Sequence, residues 1–346
     1  MLKNNQKLAI YMEANLDSDY GKMGYGVMRY IANPVCCVVD STNAGKKVNE
    51  SCSLPYDYPV VATIAEARAL GAEVLVLGTA PSGGRVPEDW YPPLKAALAC
   101  GMSIVNGLHD QLNQQIADHI VDPDKQWIWD VRVPAFTPPI ASAKASTLDN
   151  KRVLMVGTDM AIGKMTAGLE IFRWVRDQQI PAAFVATGQI GITITGHGIP
   201  LDAFKVDHAC GAVESAVMEV ADNDIVFIEG QGSILHPGSS ATLSLMRGSC
   251  TNRLIMCHRA GMTELRKPSA IKIPPLRQFI KLNEELATVC GSLTAATTVG
   301  LALNTINMSE ASAMNEIARL EDEIGLPVED VVRFGPAKIG RALLNS

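Results

Sequence analysis

The sequence predicts an α/β protein made of two parallel-sheet domains, and three observations predict it. Short, wholly apolar runs alternate with helical stretches in both halves of the 346-residue chain, the pattern of parallel strands joined by crossover helices. The runs lack the in-out alternation of a half-exposed strand, so each is expected to be buried on both faces. A Pro-rich stretch without helical or strand period, RVPAFTPPIASAKASTLDNK at 132–151, interrupts the alternation, with prolines at 134, 138 and 139 and Pro123 just upstream. It separates a domain over 1–140 from a second over 141–346, in keeping with roughly one domain per 150 residues.

In the first half, KLAIYME (7–13), PVCCVVD (34–40), EVLVLGT (73–79) and MSIVNG (102–107) read as strands. VMRYI (27–31), VVATIAEARAL (60–70) and YPPLKAALA (91–99) read as helices. The order predicts a Rossmann-like sheet. The Gly-rich turns GKMGYG (21–26) and TAPSGGR (79–85) stand where such a sheet binds ligands, and Asp40 reads either as a ribose acceptor or as a helix cap. In the second half the strands are KRVLMVG (151–157), AAFVATG (182–188), DIVFIEG (224–230), RLIMCH (253–258) and TTVGLALNT (297–305), with VEDVVRFG (328–335) as a further candidate. GAVESAVMEVA (211–221) is expected to be a helix.

Composition excludes several classes. With 47% hydrophobic and 19% charged residues the chain has material for two cores and none for a long disordered tract. The 30 Lys and Arg against 36 Asp and Glu give a net charge of −6, so the electrostatic term that drives nonspecific nucleic-acid binding is absent and no nucleic-acid partner is expected. No run approaches the roughly 20 apolar residues needed to span a bilayer, and Glu13 cuts short the apolar run near the start. A soluble, cytoplasmic protein with no membrane partner is expected. The eight cysteines are scattered without a C-x-x-C pair, which points to reduced thiols rather than disulfides or zinc.

The strongest local signal is KRVLMVGTDMAIGKMTAGLEIFRWVRD: a strand, a glycine-bounded loop, and a helix with Met165, Leu169, Phe172 and Val175 on one face. It reads as a phosphate-binding loop, so the second domain is expected to be P-loop NTPase-like. Gly157 and Gly163 permit the turn, and the amides from Thr158 and Asp159 through Ala161 and Ile162 to Met165 face one concavity. Lys164 adds a positive charge where the helix dipole already favours an anion. A surface lysine beside an ordinary glycine turn would not require strand, loop, lysine and helix in this order. The spacing departs from G-x-x-x-x-G-K-[ST] twice. The first glycine is one residue further away, and Met165 stands where a hydroxyl should hold Mg²⁺, with Thr166 one position late. A thioether does not suit a hard cation, and adjacent helix positions point about 100° apart. The loop is expected to grip phosphates rather than activate them for hydrolysis.

Two more strand ends draw attention. DIVFIEGQGSILHPGSS (224–240) delivers Glu229 to the edge where open α/β sheets bind ligands, as a general-base or metal-ligand candidate. ATGQIG places Thr187, Gly188 and Gln189 after another strand, where an ordinary Gly-rich turn is an equal reading.

Together GTDMAIGKMT, ATGQIG, DHACGAVESAV, IEGQGSILHP and GLALNT resemble the C-terminal P-loop domain of a bacterial and archaeal family whose functionally assigned branch is the D-glutamate N-acetyltransferases (DgcN type). GKMGYGVMRY, PVVATIAEA, LGTAPSGGRVPEDW and SIVNGLHD resemble that family's Rossmann-like N-terminal domain, so the likeness runs from about residue 7 to 340. It implies acetyl transfer from acetyl-CoA to the amino group of D-glutamate. The loop agrees at one point, since CoA carries phosphates and needs no Mg²⁺ hydroxyl. The same motifs resemble dethiobiotin synthetase, which leaves an ATP- and Mg²⁺-dependent ligase as the alternative. Met165 counts against it, and no resident metal is expected.

Amide formation from a thioester needs a base, for which the candidates are Glu229, His236 and Asp207, with His208 beside it. Asp207 reads equally as a helix cap. A dicarboxylic substrate calls for guanidinium groups, with Arg247, Arg253 and Arg259 near one strand, and Arg85 and Gln189 in Gly-rich turns, as candidates. Asn304, ending GLALNT, is placed to read an adenine edge, as asparagines there do in related P-loop proteins. A homo-oligomer is expected.

Overall fold

Each half of the chain folds around a six-stranded, all-parallel sheet in this computed structural model, which describes residues 2–346. The first sheet comprises β1 (Leu8–Tyr11), β2 (Val35–Val39), β3 (Val60–Val61), β4 (Val74–Leu77), β5 (Ser103–Asn106) and β6 (Ile128–Asp130). Their order is β3-β2-β1-β4-β5-β6, that of a Rossmann fold. Ile10 of β1 stands opposite Val38 on one side and Val76 on the other. Leu8, Ala9, Ile10 and Val74 to Leu77 are fully buried, as expected where helices cover both faces.

The run VVATIAEARAL splits instead of forming one helix. Val60 and Val61, both β-branched, pair with Val38 and Val39, and the helix Ile64–Ala69 begins only after Thr63. Thr63 Oγ1 accepts from Glu66 N at 3.2 Å, while Glu66 Oε2 accepts from Ala62 N at 2.8 Å. Thr63→Ala is expected to cost about 1 kcal/mol, the usual worth of an N-cap. Chemical denaturation reads this directly, and an unmoved midpoint would show the cap to be idle.

Gly24 of the GKMGYG turn and the carboxylate of Asp40 are both consumed by packing. Gly24 N donates to Gly78 O at 2.6 Å, and a Cβ at Gly24 would lie 2.4 Å from Met12 Sδ. The glycine lets the helix Lys22–Tyr30 approach the strand ends. Asp40 is fully buried and accepts from Ala14 N, Leu16 N, Thr42 N, Thr42 Oγ1 and Asn43 Nδ2. It caps a short 3₁₀ turn, and these five donors occupy the carboxylate that a ribose would need.

The second sheet comprises β7 (Lys151–Gly157), β8 (Ala182–Val185), β9 (Ile225–Ile228), β10 (Arg253–Arg259), β11 (Thr297–Asn304) and β12 (Val328–Glu329), in the order β12-β11-β10-β7-β9-β8. The strand before the phosphate loop, β7, lies between β10 and β9, where the winding reverses. VEDVVRFG yields only a two-residue strand. Asp330 turns inward to accept from Thr305 N, Val332 N and Arg333 N, which bends the chain out of the sheet.

Contacts divide the chain into one unit that ends at Ala135 and includes Gln189–Ala203, and another of Phe136–Gly188 and Phe204–Ser346. In the second unit buried Glu214 accepts from Ser142 N and Lys144 N, which anchors the Pro-rich stretch to the helix Val206–Glu219. All eight cysteines are free, and no helix among the described residues is long and apolar enough to cross a membrane.

Candidate active site

β7 ends at Gly157, and the chain turns through Thr158 to Gly163 into the helix Lys164–Asp177. Gly163 has φ +114° and Ala161 φ +53°, a reversal that brings successive N–H groups round to one side. The amides of Ala161, Ile162 and Gly163 have no hydrogen-bond acceptor among the described residues. Those of Lys164 and Met165 open a helix, where no intrahelical partner exists. Five adjacent donors therefore face no protein acceptor, which is the chemistry of an anion cradle.

The loop is braced on several sides. Asp159 Oδ1 accepts from its neighbour Met160 N at 2.7 Å, and Oδ2 from Arg266 N at 2.9 Å. Thr158 Oγ1 lies 2.9 Å from His258 Nδ1. Asn304 Nδ2 donates to Ile162 O at 3.2 Å while its Oδ1 accepts from Ile306 N, and Arg259 Nη2 donates to Ala161 O at 3.2 Å. Asn304 and Arg259 thus hold the loop in shape. The Arg259 Nε is buried without a hydrogen-bond partner.

Lys164 is buried, and its Nζ donates to Asp159 O at 2.7 Å. Its stem passes between two glycines: a Cβ at Gly157 would lie 3.3 Å from Lys164 Cδ, and one at Gly230 3.0 Å. Gly230 also admits no side chain because its Cβ would fall 1.7 Å from Met155 O. Burial lowers the lysine pKa to about 8, against the attraction of Cys257, Asp159 and Glu229.

Glu229 follows β9 and is buried. Its Oε2 accepts from Thr187 N at 2.8 Å and Gly188 N at 3.1 Å, while Oε1 has only a long contact from Gln231 Nε2 at 3.3 Å. Thr187 Oγ1 returns a bond to Glu229 O at 2.9 Å. Burial pushes its pKa up to about 7, although both amides and Lys164 favour the anion. A carboxyl half-ionised near neutrality, with one oxygen lightly engaged, is suited to accept a proton.

The other candidates fall elsewhere. His236 Nε2 is 2.7 Å from Lys267 O, and its Nδ1 accepts from Gly238 N at 3.1 Å. With both nitrogens engaged by backbone it has no lone pair ready for a proton, which corrects its reading as a base. Asp207 is exposed in the first turn of the helix Val206–Glu219, whose N-cap is Lys205, so it is not the cap. His208 is held by Pro138 O. Arg247 lies in the last turn of the helix Ala241–Ser249, and Arg253 starts β10 and bonds Ser346 Oγ. Both therefore lie at the sheet edge opposite the loop. Arg85 pairs with Asp110, and Gln189 opens the helix Gln189–Thr195; both belong to the N-terminal unit. Met165 and Thr166 lie in the first turn after the loop, both partly exposed.

His258 joins the loop residues without a motif around it to single it out; its only signal in the sequence is that it ends the strand RLIMCH, which lies beside β7. Burial lowers its pKa to about 4, so it is neutral against Thr158.

Comparison with known proteins identifies both domains. Residues 139–340 match the domain of unknown function described as the DUF1611 C-terminal P-loop domain, and residues 41–134 match its N-terminal Rossmann-like domain. The chain is 34% identical over 283 residues to a D-glutamate N-acetyltransferase of Tritonibacter scottomollicae, covering 81% of this chain and 84% of that one. A D-glutamate N-acetyltransferase of a Pseudoalteromonas species is 34% identical over 277 residues, or 79% and 82% of the two chains. The crystal structure of a DUF1611 family protein from Anabaena variabilis is 42% identical, with a TM-score of 0.94 over 99% of this chain and 100% of that one. With both of its domains matched, and with their order and the phosphate loop in place, this chain belongs to the DUF1611 family.

Proposed function

We propose that this chain is an N-acetyltransferase that moves the acetyl group of acetyl-CoA to the amino group of an acidic D-amino acid, D-glutamate in the first instance. The observation that carries the reading is the row of free loop amides around buried Lys164, followed by Met165 in place of the Mg²⁺ hydroxyl. That combination suits holding CoA phosphates, and the names of the two relatives at 34% identity supply the reaction class and acceptor. Loop and lysine hold the donor. Glu229 takes the proton that the ammonium must lose before nitrogen can attack. The amine nitrogen then bonds to the acetyl carbonyl carbon, the carbon–sulfur bond breaks, and CoA leaves as the thiol with the second amine proton. The eight free cysteines suit a reducing, cytoplasmic setting.

Activity is expected to require no nucleoside triphosphate. Turnover is measured with and without ATP and Mg²⁺ while ADP and phosphate are followed. Release of ADP in proportion to product would favour an ATP-dependent ligase instead.

A further inference from the structure

The N-terminal unit contains a polar cavity of about 260 Å³ at the C-terminal ends of β5 and β6, lined in part by His109, Asp110, Gln111, Asp130, Arg132 and Asp202. That edge is where parallel sheets receive ligands. The volume is below that of drug-sized sites and suits a metabolite the size of a free amino acid.

The fold already occupies most of the charged groups. Asp130 accepts from Asn106 Nδ2, Leu112 N and Asn113 N at 2.8, 3.0 and 2.9 Å. Asp110 accepts from Val86 N at 2.7 Å and Arg85 Nη1 at 2.8 Å. Arg132 and Asp202 differ. The Arg132 side chain is only 16% exposed, and its Nε donates to Gly107 O at 2.8 Å. Its Nη1 pairs with Asp202, while Nη2 makes no hydrogen bond among the described residues. Asp202 is half-exposed and bonds no other side chain among the described residues. It arrives on Gln189–Ala203, the segment that leaves the second half of the sequence to join this unit.

A guanidinium with an unused N–H edge receives a carboxylate in a fork, and a half-exposed carboxylate beside it receives an ammonium. A free amino acid carries both groups on one carbon. His109 adds no competing charge, because burial lowers its basicity and the nearby Arg132 and Arg85 lower it further. We infer that this cavity binds a free amino acid, its α-carboxylate on Arg132 and its α-ammonium on Asp202. The acetyl-transfer reading enters only in the choice of D-glutamate as first probe.

The test is calorimetry on the full chain without acetyl-CoA, using D-glutamate, L-glutamate, D-aspartate and glycine, with glutarate as the analogue that lacks an ammonium. At least one amino acid is expected to bind. Arg132→Lys should weaken both that ligand and glutarate by about tenfold or more, the worth of one charge-assisted hydrogen bond. Asp202→Asn, at a half-exposed position that tolerates the change, should weaken the amino acid by a similar factor and leave glutarate unchanged or tighter. Lys164→Ala should change neither. The site is refuted if none of the four amino acids binds at millimolar concentration, or if Lys164→Ala abolishes binding while Arg132→Lys and Asp202→Asn spare it. Loss of the acetyl-transfer reading would show separately, as absent thiol release, because calorimetry here needs no donor.

Discussion

Glu229→Gln is expected to lower kcat by about 10²–10⁴-fold, the usual worth of general-base catalysis, with the fold and acetyl-CoA affinity kept. The amide oxygen can keep both N–H bonds from Thr187 and Gly188. Its NH₂ would then occupy the place of Oε1, opposite Gln231 Nε2, and a flip of the Gln231 amide restores a donor–acceptor pair. Shape and hydrogen bonding survive and basicity does not. The pH profile gives an independent reading. With the carboxyl pKa near 7, kcat/KM should rise with pH as Glu229 ionises, and with the lysine pKa near 8 it should fall above that as Lys164 loses its charge. The variant should lose the rising limb. Turnover close to that of the parent would mean that Glu229 only braces the two strand ends.

Lys164→Ala is expected to weaken acetyl-CoA binding by about 1.5–3 kcal/mol, or about 10–150-fold in Kd, through loss of a charge-assisted phosphate contact. Lys164→Met isolates the charge, because its thioether chain still fills the gap beside Gly157 and Gly230. Removing a buried ammonium whose charged form is disfavoured by burial should cost the apo fold little. Calorimetry should therefore show weak CoA binding to a well-folded Lys164→Met protein. Unchanged affinity would remove the phosphate-loop assignment.

The sequence made the sheets and the loop legible because their signals are local. Apolar runs such as EVLVLGT and KRVLMVG carry their burial in their own composition. The Gly157–Lys164 segment combines strand, turn and helix in one contiguous stretch, and Glu229 stands out as a charge ending an apolar run. What escaped depends on partners distant in the chain. The roles of Asn304 and Arg259 as braces are set by the carbonyls of Ile162 and Ala161, which no spacing within GLALNT or RLIMCHR discloses. His236 stands in a loop near the expected edge, and only the folded backbone engages both of its nitrogens. The short strand Val60–Val61 was hidden because its two valines form a run with a helix that follows at once. Likewise, nothing local in Gln189–Ala203 says that it packs with the N-terminal unit.

Acetyl transfer is tested most directly by following free thiol and N-acetylated amino acid together when the purified chain meets acetyl-CoA and D-glutamate without nucleotide. Equal amounts of both are expected, with thiol release falling to background when D-glutamate is omitted. Thiol released at the same rate without an acceptor, or no thiol released with any acidic amino acid, would contradict acetyl transfer.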